Sequence, residues 1–221
     1  MQPGAGEDPV STALGIPTQV LDAVRDLGRV ITGTETFRVA DALLADTLYR
    51  AQCRRRIVFV EEVAAKLTAH GISPRVLPEG FALQAIEGGA LADDPDVRRL
   101  WRNLLCNAVA EPSSVHPFVV DILRKLNGTD AQVLARVAHA TRTRTDVPGT
   151  SFAVVGQAGE DGLLDALARL DAFGLLTPPW QGYDRSHLKS PEAALHAGLS
   201  ACGEQFMRAV ADPGSTDTAG A

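Results

Sequence analysis

The sequence predicts a mainly α-helical protein: an N-terminal helical region with one long helix, followed by a C-terminal winged-helix-like α+β module. Apolar residues recur at helical spacing through most of the chain. Hydrophobic residues make up 45% of the sequence but aromatics only 5%, so the core is built from Leu, Val and Ala, which favours helices. After residue 127 the pattern changes to helix, helix, short strand, loop, strand, helix. We expect a disordered N-terminus at 1–15, a helical domain at 16–127, the module at 128–211 and a disordered tail at 212–221.

Composition argues against several classes of protein. The formal net charge of −6 argues against a general nucleic-acid binder, which needs a basic surface. Cys53, Cys106 and Cys202 form an odd set without close spacing, which indicates a reducing compartment rather than a disulfide framework or zinc site. Because the sequence has neither a signal-peptide pattern nor a run of about 18 apolar residues, we expect a cytoplasmic protein without a membrane span.

The first half of the chain is read as a series of helices. Apolar residues of 17–31 share one face, and Gly33 interrupts that pattern. A long helix is then predicted from about Glu35 to about His70, with Gly71 as its stop and a break near residues 54–56 as the alternative. At 1.5 Å per residue this helix would exceed about 50 Å, so we expect it to project or to pair with a second copy in a homo-oligomer.

The centre of the chain has the clearest helix. A shorter helix precedes it, with Gly88 and Gly89 as weak points. Asp94 is the predicted N-cap of the central helix and Pro95 its first residue. Its apolar stripe comprises Val97, Leu100, Trp101, Leu104, Leu105 and Ala108. Its other face is expected to carry Arg98, Arg99, Arg102, Asn103 and Asn107.

The remaining elements follow from similar signals. A helix starts near Pro117, and Thr129 to Gln132 reads as the capping box of the next helix. Beyond it, SFAVV is a candidate strand and residues 163–174 a compact helix.

The sequence of several segments resembles the Abi-alpha family of bacterial abortive-infection proteins. The segments are RRRIVFVEEVAAKLTAHGI, the acidic turn ADDPDV, LWRNLLCNAV, a Ser/His/Pro loop and FVVDILRKLNGTDAQVL. This resemblance covers roughly residues 30–210 and implies a role in defence against bacteriophage, without a known chemistry.

Arginines are the candidate partner contacts. One set lies in the predicted long helix and the other in the central helix: Arg50, Arg54, Arg55, Arg56, Arg98, Arg99 and Arg102. Such a run can bind an acidic partner, but it can equally be a solvated helix face that Glu61 and Glu62 partly neutralise. Glu87 is expected to pair with Arg98 or Arg102.

The sequence offers no recognisable reaction chemistry. The histidines lack metal-ligand spacing, and His116 before Pro117 is read as support for a helix start. Asp93, Asp94 and Asp96 are read as N-terminal capping rather than as a metal site. Nucleophile and phosphate-binding motifs are also absent from the sequence. We therefore expect no catalytic, cofactor-binding or metal residues, and a protein that is not an enzyme.

Three functional hypotheses remain. The first is a defence component that acts through protein–protein contacts or self-association and arrests or kills the infected cell. The second is a DNA-binding regulator that uses the winged-helix-like module. Its helix carries Asp161, Asp165 and Asp171 against Arg169 alone, so we expect it to repel phosphate and nucleic acid not to be a partner. The third is a nuclease-type effector with an unrecognised site.

Overall fold

The computed structural model describes residues 47–114, 116–143, 153–157, 160–177 and 194–214, and this part of the chain is mainly helical. Its helices are α1 (Thr47–Ala69), α2 (Glu79–Leu91), α3 (Pro95–Ala110), α4 (Phe118–Leu123), α5 (Gly128–Thr143), α6 (Leu163–Ala172) and α7 (Ala201–Ala209). A short 3-10 turn covers Pro112–Ser114, and the strands are β1 (Ala153–Gln157) and β2 (Ala194–Ala197). The predicted disordered N-terminus, the predicted helix at 17–31 and most of the predicted tail lie outside the described residues.

Helix α1 runs without interruption through residues 54–56, so the alternative of a break there is wrong. Its end is the predicted one. Gly71 has φ +62°, its N–H donates to the carbonyl of Thr68 at 3.1 Å, and the N–H of Ile72 donates to the carbonyl of Leu67 at 2.9 Å. This pair of bonds is a Schellman motif, in which glycine supplies the left-handed residue that closes the helix. The predicted portion before Thr47 lies outside the described residues.

Glycines in α2 allow three helices to pack closely. A Cβ atom at Gly88 would overlap the indole ring of Trp101, and one at Gly89 would overlap the ring of Phe59. The prediction that these glycines weaken the helix therefore missed their role. They let α2 approach α3 and α1 closely enough for both aromatic side chains to be buried.

Helix α3 begins and packs as predicted. Asp94 Oδ1 accepts hydrogen bonds from the backbone N–H groups of Asp96 at 2.9 Å and Val97 at 3.1 Å, and Pro95 is the first helical residue. Every residue of the predicted apolar stripe is buried. The prediction that Asn103 lies on the polar face of α3 is wrong. Only 4% of this residue is exposed, and it faces other parts of the protein rather than solvent.

The N-cap of helix α5 is Asn127, two residues before the predicted cap Thr129. Asn127 and Asp130 form the capping box: the Asp130 N–H donates to Asn127 Oδ1 at 2.9 Å, and the Asn127 N–H donates to Asp130 Oδ2 at 3.1 Å. The predicted box at Thr129 and Gln132 is therefore wrong. Both asparagine and threonine are good N-caps. The reciprocal pair forms at Asn127, because the residue three positions after it is the buried Asp130.

The two strands pair antiparallel, from Ala153 opposite Ala197 to Gln157 opposite Ala194, with an irregularity between Val154 and Gly156. Leu176 forms a further antiparallel bridge with Leu199 just beyond β2. The N–H of Thr177 donates to the carbonyl of Gly198 at 2.9 Å, which extends this pairing. Both β1 and residues 176–177 therefore pair with parts of the segment 194–199.

One continuous apolar cluster extends from Ile57 in α1 to Val210 after α7. Its largest fully buried side chains are Trp101, Phe59 and Phe206, which come from three different helices. The core therefore crosses residue 127, where the domain boundary is predicted. This shared core fixes the first three helices relative to α7 and so positions the surfaces described next.

Candidate functional site: the arginine surface

Glu62 on α1 joins α1 to α3 through two arginines. Its carboxylate accepts from Arg98 Nη2 at 2.9 Å and from Arg102 Nη1 at 3.5 Å. The Arg98 guanidinium also lies 5.5 Å from the ring centroid of Phe59, within cation–π range. The side chains of Arg98 and Arg102 are only 23% and 30% exposed. They bridge two helices, so the expected exposed arginine face of α3 is half-buried at these positions.

The arginines in the middle of α1 reach towards α2 and the turn after it. Arg56 Nη2 lies 3.0 Å from Glu87 Oε1, and Arg55 Nη1 lies 3.4 Å from Asp93 Oδ1. The expectation that Glu87 pairs with Arg98 or Arg102 is therefore wrong. These pairs are largely exposed, and such pairs stabilise a protein by only about 0–1 kcal/mol. Both arginines can accordingly exchange partners at small cost.

The remaining candidate arginines differ in their surroundings. Arg99 is half exposed and pairs with Asp96 one turn earlier, at 2.8 Å. Arg54 is exposed and forms no ion pair with any described residue. Arg50 lies in the first turn of α1, and its side chain lies outside the described part. The structure thus places the six described candidates on adjacent helices, but alternates them with carboxylates instead of forming a uniform cationic patch.

An apolar groove lies where the start of α2, the end of α3 and the start of α4 meet. Its volume is about 330 Å³, and it is lined by Leu77, Pro78, Phe81, Gln84, Ala108, Pro112, Pro117 and Val120. Gln84 is its one polar lining side chain among the described residues. Sequence reasoning missed this groove. Its signal is the set of prolines that mark the ends of neighbouring elements, but their closeness in space is a tertiary property.

The residues after α7 are held against α1 and α3 by polar side chains. Lys66 Nζ donates to Asn103 Oδ1 at 2.7 Å and to Asp212 Oδ2 at 2.9 Å. Asn103 Nδ2 donates to the carbonyl of Val210 at 3.0 Å. Asn107 Nδ2 donates to the carbonyls of Ala209 and Ala211 at 2.9 and 3.0 Å.

These asparagine amides satisfy carbonyls that the end of a helix leaves without intrahelical partners. The hydrogen bond from Lys66 lowers the pKa of the Asp212 carboxyl below its usual range. Sequence reasoning missed this contact because its partners are more than 100 residues apart in the chain.

The arginine on α6 pairs with a buried carboxylate. Arg169 binds Asp130 with two nitrogens, Nη2 at 2.8 Å and Nε at 3.0 Å, and Asp130 is fully buried. The hydrogen bond to Asp130 raises the pKa of the Arg169 guanidinium. Nearby, Arg136 on α5 pairs with Glu160 at 2.6 Å, which lowers the pKa of the Glu160 carboxyl.

The residues considered for chemistry have structural surroundings. The ring centroid of His116 lies 5.7 Å from that of Phe118, and its carbonyl accepts from the Val119 N–H at 3.1 Å, in keeping with its predicted place at a helix start. Cys106 is buried, and burial raises the pKa of its thiol to about 11. Within the described ranges, no three His, Cys, Asp or Glu side chains are grouped so as to hold a metal ion. The described helices likewise include none long and apolar enough to cross a lipid bilayer.

Comparison with known proteins gives one match. Neither a curated protein nor a solved structure matches the chain. The family model described as abortive infection alpha matches residues 54–210, which is more than half of the 221 residues. The match covers the apolar cluster of the described residues, from Ile57 to Val210. The chain therefore belongs to the abortive infection alpha family, whose membership implies a role in anti-phage defence.

Proposed function

We propose that the protein is an anti-phage defence component that acts through protein–protein contacts, after which the infected cell is arrested or dies. The observation that carries the defence role is the family match over residues 54–210. That match extends from within α1 to the residue after α7 and covers most of the described helices and strands.

Two surface features support a contact mechanism. The groove at the start of α2 is open and apolar, and its volume of about 330 Å³ suits one or a few side chains of a partner. Val76 and Leu83, which neighbour its lining residues in the chain, are 59% and 46% exposed. On the arginine surface, Arg54, Arg55 and Arg99 are exposed, with Arg56 beside them and Arg50 one turn before Arg54. Arg98 and Arg102 support this surface by holding α1 against α3.

A second part of the proposal concerns the C-terminal half. Residues 128–211 form a winged-helix-like module that follows the helical domain at 16–127. The support is the order of its elements and the pairing of residues 194–199, which meet β1 at one end and residues 176–177 at the other. We assign this module to protein contact. Its helix α6 carries acidic residues, and its arginine is bound to a buried aspartate.

A phage challenge tests the defence role. Bacteria with and without the gene are infected at low and high phage dose, and plaques and surviving cells are counted. We expect fewer plaques together with death of the infected cells. Unchanged plaque numbers, with no toxicity on overexpression, would contradict the defence role.

Charge reversal tests the contact mechanism. The variant R99E should lose protection while keeping a melting temperature close to that of wild type, because Arg99 is half exposed and lies outside α1. Arg124→Glu, an exposed arginine beyond α4, is the matched control and should retain protection. Full protection by R99E would contradict a contact through this arginine.

A gel shift separates this proposal from a DNA-binding regulator. Purified protein is mixed with its own promoter DNA at low and high salt. A regulator must bind in a salt-dependent way, because phosphate contacts release counterions. We expect no such binding.

A further inference from the structure

Helix α1 presents a narrow exposed stripe that the other described elements leave uncovered. Ala51, Val58 and Ala65 are seven residues apart, so they lie nearly on one line along the helix. Both alanines are exposed, and Val58 is 39% exposed although it is a large apolar residue. Small side chains on either side of a valine let a second helix approach to a normal axial distance of about 8–10 Å.

Charged residues flank this line in a regular order. Arg54 and Glu61 lie on one side of it, and Arg55 and Glu62 lie on the other, as the 100° turn per residue requires. On both sides the arginine comes before Val58 and the glutamate after it. Arg54 and Glu61 form no ion pair with any described residue, whereas Glu62 and Arg55 have the intramolecular partners described above.

This order is self-complementary for one orientation of two helices. In an antiparallel pair, the two-fold axis passes between the helices at Val58. The Arg54 flank of one copy then faces the Arg54 flank of the other, with the chain direction reversed. Arg54 lies about 6 Å before Val58 and Glu61 about 4.5 Å after it, so Arg54 comes to the same height as the partner's Glu61. The same operation sets Ala51 opposite the partner's Ala65. A parallel pair would instead place like charges side by side, which is destabilising.

We propose that two copies of this chain associate through α1, antiparallel about Val58, with Arg54 paired to the partner's Glu61 on one flank. The exposed valine is then buried at the symmetry axis. The occupant of this helix face is a second copy, because the charge order complements itself only when it is reversed. The dimer goes beyond the proposed defence role and does not depend on it.

Charge exchange tests the pairing in the full-length protein. The molar mass is measured by light scattering after gel filtration, over a dilution series. Wild type should have the mass of two chains. R54E alone and E61R alone should each have the mass of one chain, because the two-fold axis creates two like-charge contacts in either variant. The double variant R54E/E61R should recover the mass of two chains. A single-chain mass for wild type, or for the double variant while wild type is dimeric, would overturn the proposal.

Cysteine cross-linking tests the register. Val58→Cys should form an intermolecular disulfide under mild oxidation, because the two copies meet at the axis. Val76→Cys, at a more exposed valine away from α1, is the matched control and keeps the same three native cysteines. Equal cross-linking of both variants would contradict the register. Neither measurement involves infected cells, so failure of the dimer and failure of the defence role are distinguishable.

Discussion

Lys66 and Asp212 are 146 residues apart in the chain, but the Lys66 ammonium lies 2.9 Å from the Asp212 carboxylate. This ion pair, with the Asn103 and Asn107 amides beside it, fixes the residues after α7 to the first and third helices. His70 Nε2 lies 3.6 Å from the other carboxylate oxygen. The end of α1 and the residues after α7 are therefore joined directly by side chains.

Asp212→Asn should lower stability at neutral pH by less than about 1 kcal/mol, because the carboxylate is half exposed and solvent screens the pair. The pKa of Asp212 is lowered by folding, so its contribution is complete above the unfolded-chain pKa of about 3.9 and is lost as the pH falls through the lower folded-state pKa. Urea unfolding at several pH values should therefore show a difference from wild type that disappears in acid. Asp121→Asn, at an exposed position in α4, is the control for loss of one carboxylate and should unfold like wild type at neutral pH.

Asn103→Ala should cost about 1–3 kcal/mol, because the Val210 carbonyl and the Lys66 ammonium lose a partner in a largely buried place. The free energy of unfolding in urea measures this change. Gln132→Ala is the control, because the Gln132 amide bonds to Asp96 at the surface. If both variants lose the same small amount, Asn103 is not the anchor that we describe.

Gly89→Ala should destabilise the fold by about 1–3 kcal/mol, because the new methyl group overlaps the Phe59 ring at the contact between α1 and α2. Gly80→Ala in the same helix meets open space and should be neutral or slightly stabilising, since alanine is the better helix former. Thermal unfolding of the two variants makes the comparison. A stabilised Gly89→Ala variant would show that the helices can move apart without cost.

Arg169→Met should cost about 1–3 kcal/mol, because it leaves the buried Asp130 carboxylate without its cation while the Asn127 N–H remains bound. Arg136→Met removes the exposed pair with Glu160 and should cost much less. Denaturant unfolding of both variants shows which one loses more free energy of unfolding. Equal losses would mean that solvent reaches Asp130.

The sequence predicts those parts of the fold that depend on local spacing. The buried stripe of α3, its Asp94 cap and the stop at Gly71 all follow from side chains within a few residues of each other. The position of Asn103 does not, because an asparagine next to Arg102 and one turn after Arg99 has the local pattern of a solvated residue. Its partner Val210 is 107 residues away. The cap of α5 was missed for a related reason: two good N-cap residues compete within three positions, and burial of Asp130 decides between them.

The candidate site was predictable in its residues but less so in its arrangement. The arginines were identified from the sequence as a charge feature, and the structure places both sets on adjacent helices. Which carboxylate each one meets depends on how α1, α2 and α3 cross, and Glu87 accordingly binds Arg56 instead of Arg98 or Arg102. The alternation of arginine and glutamate along α1 is visible in the sequence, but its exposure is known only after the other faces are buried.

The attachment of residues 209–212 to the first and third helices has a consequence for synthesis of the protein on the ribosome. Lys66, Asn103 and Asn107 are translated more than 100 residues before the carbonyls and the carboxylate that they bind. A fragment that ends before residue 209 leaves the Asn103 and Asn107 amides hydrated on one side of α3. We therefore expect that side of α3 to be cleaved more readily by proteases in such a fragment than in the full chain.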